Sequence, residues 1–122
     1  MNLQVLPQAF SVCQVFDLSK VDSTREFVFF AKTDEELSLV CETAFAPQNT
    51  LAREDGWRAF RVCGVLDFSL VGILAKLSGV LSEEGISIFA VSTYNTDYIL
   101  VREVSFAPAL AALVKAGYAI LE

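Results

Sequence analysis

From its residues alone the chain should fold as an α+β protein: two tandem ferredoxin-like (βαββαβ) units, the first truncated, each an antiparallel sheet with its helices on one face. Three features lead there. One is the order of elements legible in residues 57–122. Another is an imperfect internal repeat. The third is an apolar content of 54% over 122 residues, with mean hydropathy +0.50. That is enough apolar surface to offset the ordering entropy of nearly the whole chain.

The second half carries the clearest elements. Ala59 to Leu66 is short, aromatic and β-branched, which favours a strand. Asp67 or Ser69 then offers a helix N-cap. Apolar residues at 70, 73, 74, 77, 80 and 81 follow helical spacing. Glu83-Glu84-Gly85 closes that helix, with Gly85 suited to a left-handed C′ position. Ile86 to Ser92 reads as a strand, Tyr94-Asn95-Thr96 as a turn, and Asp97 to Glu103 as the next strand. Ser105-Phe106-Ala107-Pro108 opens a second helix, since proline is tolerated in a first turn. Its apolar positions are Leu110, Leu113 and Val114, and Gly117 ends it. Tyr118 to Leu121 is the last strand of a four-stranded antiparallel sheet, and right-handed crossovers place both helices on one face.

The first half echoes the second. Phe10-Ser-Val-Cys-Gln-Val15 recurs as Phe60-Arg-Val-Cys-Gly-Val65, an offset of 50. Phe30-Ala31 recurs as Phe89-Ala90 (offset 59) and Thr33-Asp34 as Thr96-Asp97 (offset 63). Ala44-Phe45-Ala46-Pro47 resembles Ser105-Phe106-Ala107-Pro108 (offset 61). Four matches in one order argue for homologous halves rather than chance likeness among apolar strands. The growth in offset means that the first half lacks roughly nine residues, about two and a half helical turns. Its first helix should therefore be replaced by the polar stretch Asp17 to Glu26. Around that stretch, Leu3 to Leu6 reads as a strand stopped by Pro7, and Phe10 to Phe16 as a second strand. Phe27 to Lys32 and Leu37 to Cys41 form a hairpin, and Thr43 to Thr50 holds a helical remnant. Charged Leu51 to Gly56 links the halves, which gives units 1–56 and 57–122.

Composition excludes several function classes. The chain has no His, which removes Ser-His-Asp and Cys-His nucleophile pairs and imidazole metal sites. No cofactor is implied. The three cysteines, Cys13, Cys41 and Cys63, include no Cys-x-x-Cys and suggest a reducing cytoplasm rather than a disulfide framework. A net charge of −6 disfavours binding to a phosphate backbone, so no nucleic acid is expected. The opening residues lack a signal-peptide pattern, and the apolar stretch from Val62 to Leu81 is too interrupted for a membrane span. Asp34-Glu35-Glu36 reads as a solvated turn before it reads as a cation site. Lys76 and Ser78 lie too close along a helix to act as a Ser-Lys pair. The Phe-rich strands suit a core or an interface better than a base-stacking platform. No motif supplies a nucleophile, a base and an oxyanion donor together, so the expectation is a protein that is not an enzyme.

The candidate binding residues surround the strand-to-helix loop. Free backbone N–H groups and the positive end of a helix dipole there favour a carboxylate, and Gly72 would permit close approach. The bland alternative is that Gly72 only eases packing. Asp97 could pair with an ammonium group, or simply cap a turn. Together they would supply the two receptors that an α-amino acid needs.

Two stretches, Trp57 to Leu74 and Gly85 to Val101, the latter containing Ser92-Thr93-Tyr94-Asn95-Thr96-Asp97-Tyr98, resemble the ACT domain. More closely they resemble bacterial proteins of two tandem ACT-like units, and Leu3-Gln-Val-Leu-Pro7 and Asp34 to Cys41 fit the same pattern. The resemblance implies ACT-type units and a non-catalytic regulatory protein that senses a small molecule, most often an amino acid. By position, Asp67, Phe68, Ser69, Leu70, Val71, Gly72 and Ile73 match the family's ligand loop, and Ser92, Thr93, Thr96 and Asp97 are the less secure part of the carry-over. ACT units commonly pair side by side, so a homodimer is implied. With no catalytic region in this chain, control of an enzyme or transporter would act in trans. The alternative is a ligand-free ACT-like assembly module.

Overall fold

The computed structural model describes residues 1–65 and 71–122. They form two compact units: Met1–Pro7 with Arg58–Glu122, and Gln8–Trp57. The opening strand thus belongs partly to the later unit. Two long strands, β1 (Asn2–Gln14) and β4 (Ala52–Val62), contribute one end to each unit.

The larger unit holds α1 (Ile73–Glu83), β5 (Phe89–Ser92), β6 (Asp97–Arg102), α2 (Glu103–Lys115) and β7 (Ala119–Leu121), with the start of β1 and the end of β4. Its strands run in the order β7-β1-β4-β6-β5. This corrects the expected four-stranded, all-antiparallel sheet. The start of β1 lies between β7 and β4, and it pairs with β7 in parallel, Asn2 opposite Ala119 and Gln4 opposite Leu121. On its other side the Cys63 N–H donates to Asn2 O at 2.9 Å. The reason is apolar: Leu3 and Val5 are buried in the same core as Phe60 and Val62 of β4 and Ile99 and Val101 of β6. These residues alternate along their strands, so they share one sheet face. Leu77 and Leu81 of α1 and Phe106, Ala109 and Leu113 of α2 cover that face.

The helix phases follow the sequence. Ile73, Leu74, Leu77, Val80 and Leu81 all pack into the core. α1 closes as Gly85 predicts: Gly85 has φ 71°, its N–H donates to Ser82 O at 3.0 Å, and the Ile86 N–H reaches back to Leu81 O at 3.0 Å. That bond pair, with an apolar residue following the glycine, is the Schellman closure. A Cβ at Gly85 would meet nothing within 4 Å, so Gly85→Ala tests backbone strain alone. It should lower stability by about 1–2 kcal/mol in urea unfolding with the m-value unchanged.

Other boundaries move. The supposed linker at Leu51 to Gly56 is strand, because β4 begins at Ala52. Pro7 does not stop β1. It falls between the residues paired with β7 (Asn2 to Gln4) and those, Phe10 to Gln14, paired with β3 (Leu37–Glu42), where a missing N–H is tolerated. α2 begins at Glu103, so Pro108 lies in its second turn rather than its first. The lost N–H leaves the carbonyl of Val104 without its helical donor, and Val104 is exposed. Val114, taken as an apolar-face position, is also exposed.

The smaller unit contains the end of β1, β2 (Phe29–Lys32), β3 (Leu37–Glu42), a 3-10 turn at Thr43–Phe45 and the start of β4, with strand order β2-β3-β1-β4. Residues 17–26 form turns, with Asp17 accepting from Ser19 and Asp22 from Thr24, where the larger unit has α1. Cys13, Val15, Leu39 and Cys41 make its core. Burial pushes the Cys41 thiol up to about 11, so both buried thiols belong to packing rather than to reactivity.

The two hairpins match in register at one offset, 60: Phe29 opposite Val40 corresponds to Phe89 opposite Leu100, and Lys32 opposite Leu37 to Ser92 opposite Asp97. The sequence offsets of 59 and 63 are therefore corrected. Thr33 corresponds to Thr93, and each donates its N–H across the turn, to Glu36 O at 2.9 Å and Thr96 O at 2.8 Å. Phe29 corresponds to Phe89, both partly buried, whereas Phe30 is 57% exposed. A slip of one residue would have swapped the faces of the whole strand.

Ser11 is a fully buried polar residue in the smaller unit. The Ser11 hydroxyl lies 2.8 Å from Thr43 Oγ1 and donates to Asp55 Oδ1 at 2.6 Å, while Arg53 Nε donates to the same oxygen at 2.8 Å. The Arg53 bond, then the Ser11 bond, hold the Asp55 carboxyl below its usual 3.8. The unfolded chain therefore takes up this proton at a higher pH than the folded one does. The carboxylate's contribution is complete above the ordinary value and is lost as pH falls through the depressed one. Urea midpoints should therefore drop between pH 5 and pH 3, and the drop should be smaller in Asp55→Asn.

Candidate functional site

α1 starts on Gly72, whose φ of 77° and ψ of 2° are left-handed, and among the described residues no side chain caps it. The first helical bond runs from the Lys76 N–H to Gly72 O at 2.9 Å. The amides of Ile73, Leu74 and Ala75 thus precede the helical ladder and carry the positive end of the dipole. The expected caps, Asp67 and Ser69, lie outside the described residues, as do Phe68 and Leu70. Glycine suits a left-handed N-cap because no Cβ opposes that conformation.

This helix start opens into a recess of about 280 Å³. Val71, Gly72, Ile73 and Lys76 line one side, and Ala116, Gly117 and Tyr118 line another. α1 and α2 pack together and α2 ends there, closing with the Gly117 N–H on Val114 O and the Tyr118 N–H on Leu113 O. The positive end of one helix and the carbonyl end of another thus border one small cavity. Burial pushes the Tyr118 phenol up, so it stays a neutral hydrogen-bonding group.

A second recess, of about 250 Å³, lies at the end of β4 and contains Thr93 and Thr96. Both hydroxyls are engaged: Thr93 Oγ1 donates within the turn to Thr96 O at 3.1 Å, and buried Thr96 Oγ1 ties the turn to β4 by donating to Val62 O at 2.7 Å. Asp97 and Ser92 line neither recess. They face each other across β5 and β6, the Ser92 hydroxyl donating to Asp97 Oδ1 at 2.6 Å.

Of the sequence candidates, Val71, Gly72 and Ile73 share one site, Thr93 and Thr96 another, and Ser92 with Asp97 a third place. Lys76 and the α2 terminus were missed. Lys76 stands one turn beyond Gly72 on the helix, a spacing the sequence held. Ala116 to Tyr118 are forty residues further on, and only packing of the two helices brings them there. Among the described residues no cluster could hold a metal ion, and no helix is long and apolar enough to cross a membrane.

A family model for the ACT domain matches residues 52–115, more than half of the 122. The chain belongs to the ACT domain family. A solved Agobacterium tumefaciens protein is 31% identical over 98% of this chain and 91% of its own, with TM-score 0.87. A Vibrio cholerae protein of unknown function is 23% identical over 93% and 88%, with TM-score 0.73. The regulatory subunit of aspartate kinase from Thermus thermophilus, in a ligand-free form, is 10% identical over 94% and 96%, with TM-score 0.66, and shares the fold. No curated protein matches the sequence.

Proposed function

We propose that the protein is a non-catalytic sensor that binds an α-amino acid in the recess between the start of α1 and the end of α2. The observation that carries this reading is the meeting of opposite helix termini around one cavity. An α-amino acid bears a carboxylate and an ammonium two bonds apart. The amides after Gly72, with Lys76, would receive the carboxylate, and the last carbonyls of α2 would receive the ammonium. A volume of about 280 Å³ is at the small end of ligand pockets, which suits a metabolite of this size. The likeness to an aspartate kinase regulatory subunit supports control in trans, with ligand favouring one arrangement of subunits over another.

The matched hairpins, 60 residues apart, support two tandem ACT-type units of which the first has lost its helix. A homodimer would cover exposed Val65, Val71 and Val104. The same apolar exposure favours the second reading, an assembly module without a ligand. Amide shifts in a nitrogen-15 spectrum discriminate the two. A mixture of amino acids should move the signals of residues 71–77 and 116–118. Shifts confined to other residues, or none, would reject the sensor reading at this recess.

A further inference from the structure

We infer that the second recess, at the end of β4 on the sheet face away from the helices, is a separate site for a small molecule bearing an oxyanion, with Arg61 as its anchoring cation. Gln4, Arg61 and Tyr98 stand on the adjacent strands β1, β4 and β6. Each alternates with, or directly precedes, core residues on its strand, so the three share the face that α1 and α2 do not cover. Arg61 is half-buried, donates Nη1 to Tyr98 Oη at 3.2 Å, and holds its guanidinium 5.9 Å from the Tyr98 ring. That bond and the ring fix the direction of a side chain that would otherwise sample many rotamers. Among the described lining residues Arg61 carries the one charge and none is acidic, in a protein of net charge −6. Asn95 adds a neutral carboxamide, and among the described residues no atom would meet a Cβ at Gly64.

The fold does not impose this basic character. In the smaller unit a recess beside the matching turn, Thr33 to Glu36, is lined by Asp17, Asp34, Glu35 and Glu36 with Lys32. A planar guanidinium beside neutral donors recognises a carboxylate or a phosphate in bidentate fashion.

The test uses the full chain, with inorganic phosphate and succinate as probes in thermal melts at matched ionic strength. Either probe at millimolar concentration should raise the midpoint by several degrees more in wild type than in Arg61→Met, which keeps the aliphatic stem. Any general salting effect raises both proteins equally. Lys115→Met removes a charge outside both recesses and should retain the full response, which separates a local contact at Arg61 from a change in net charge. A response to phosphate alone assigns a phosphorylated ligand, and a response to succinate a carboxylate. Equal shifts in wild type and Arg61→Met, or none, would overturn the site. Should Arg61→Met fail to fold, wild-type nitrogen-15 spectra decide: phosphate or succinate must move the Gly64 amide and the Asn95 carboxamide, and unmoved signals would reject the proposal.

Discussion

Phe60→Ala is expected to cost about 3–5 kcal/mol of unfolding free energy, a large part of what a domain of this size possesses. Phe60 is fully buried and lies in the layer that joins β1, β4 and β6 to both helices. Its ring centroid is 6.5 Å from that of Phe106, tilted by 44°, so truncation removes an aromatic pair as well as apolar area. The cavity would open where strands and helices meet, a place where neither layer can collapse without moving the other. Phe16→Ala is the matched control: Phe16 is 60% exposed, and its loss should change stability by less than about 0.5 kcal/mol. Equilibrium urea unfolding of the two variants reads this difference directly. Similar losses in both would contradict the described core.

Lys76→Glu is expected to leave the fold intact and to remove amino-acid binding. Lys76 is exposed one turn into α1, so neither its charge nor its stem supports the core. A carboxylate seated at the amides after Gly72 would lie beside the Lys76 ammonium. Reversing that charge replaces a charge-assisted contact with repulsion, a loss of roughly 1.5–3 kcal/mol or more, which is at least tenfold in affinity. Lys115→Glu, at the end of α2 but outside the recess lining, reverses the same charge without that contact. It should bind nearly as wild type does. Calorimetric titration of the three proteins with one amino acid distinguishes a local contact from a general effect of net charge.

Local signals carried much of this fold. The apolar spacing of α1, the glycine that closes it and the two hairpins all arise from interactions within a few turns or one strand pair. The insertion of β1 beside β7 was not legible, because Leu3 and Val5 state only that one face is apolar, not which strand lies alongside. The repeat was visible, but identical Phe-Ala pairs drew its register one residue away from the geometry. At the site, Gly72 was legible as the glycine of a strand-to-helix loop that admits close approach, but it stands at the N-cap rather than in the first turn. Lys76 had the right spacing but no sequence signal separating it from any solvated lysine. Ala116 to Tyr118 enter through tertiary packing alone. Asp97 matched the family pattern, and its carboxylate turns to Ser92 because the two are cross-strand partners.

The most direct measurement is the melting midpoint of the purified protein against each of the twenty amino acids at millimolar concentration. A ligand present at about 100 times its dissociation constant adds roughly 2.7 kcal/mol to the folded state, which moves the midpoint by several degrees. The account predicts such a rise with one or a few chemically related amino acids, and its absence in Lys76→Glu. A flat profile across all twenty would contradict the sensor reading and leave assembly as the function of this ACT protein.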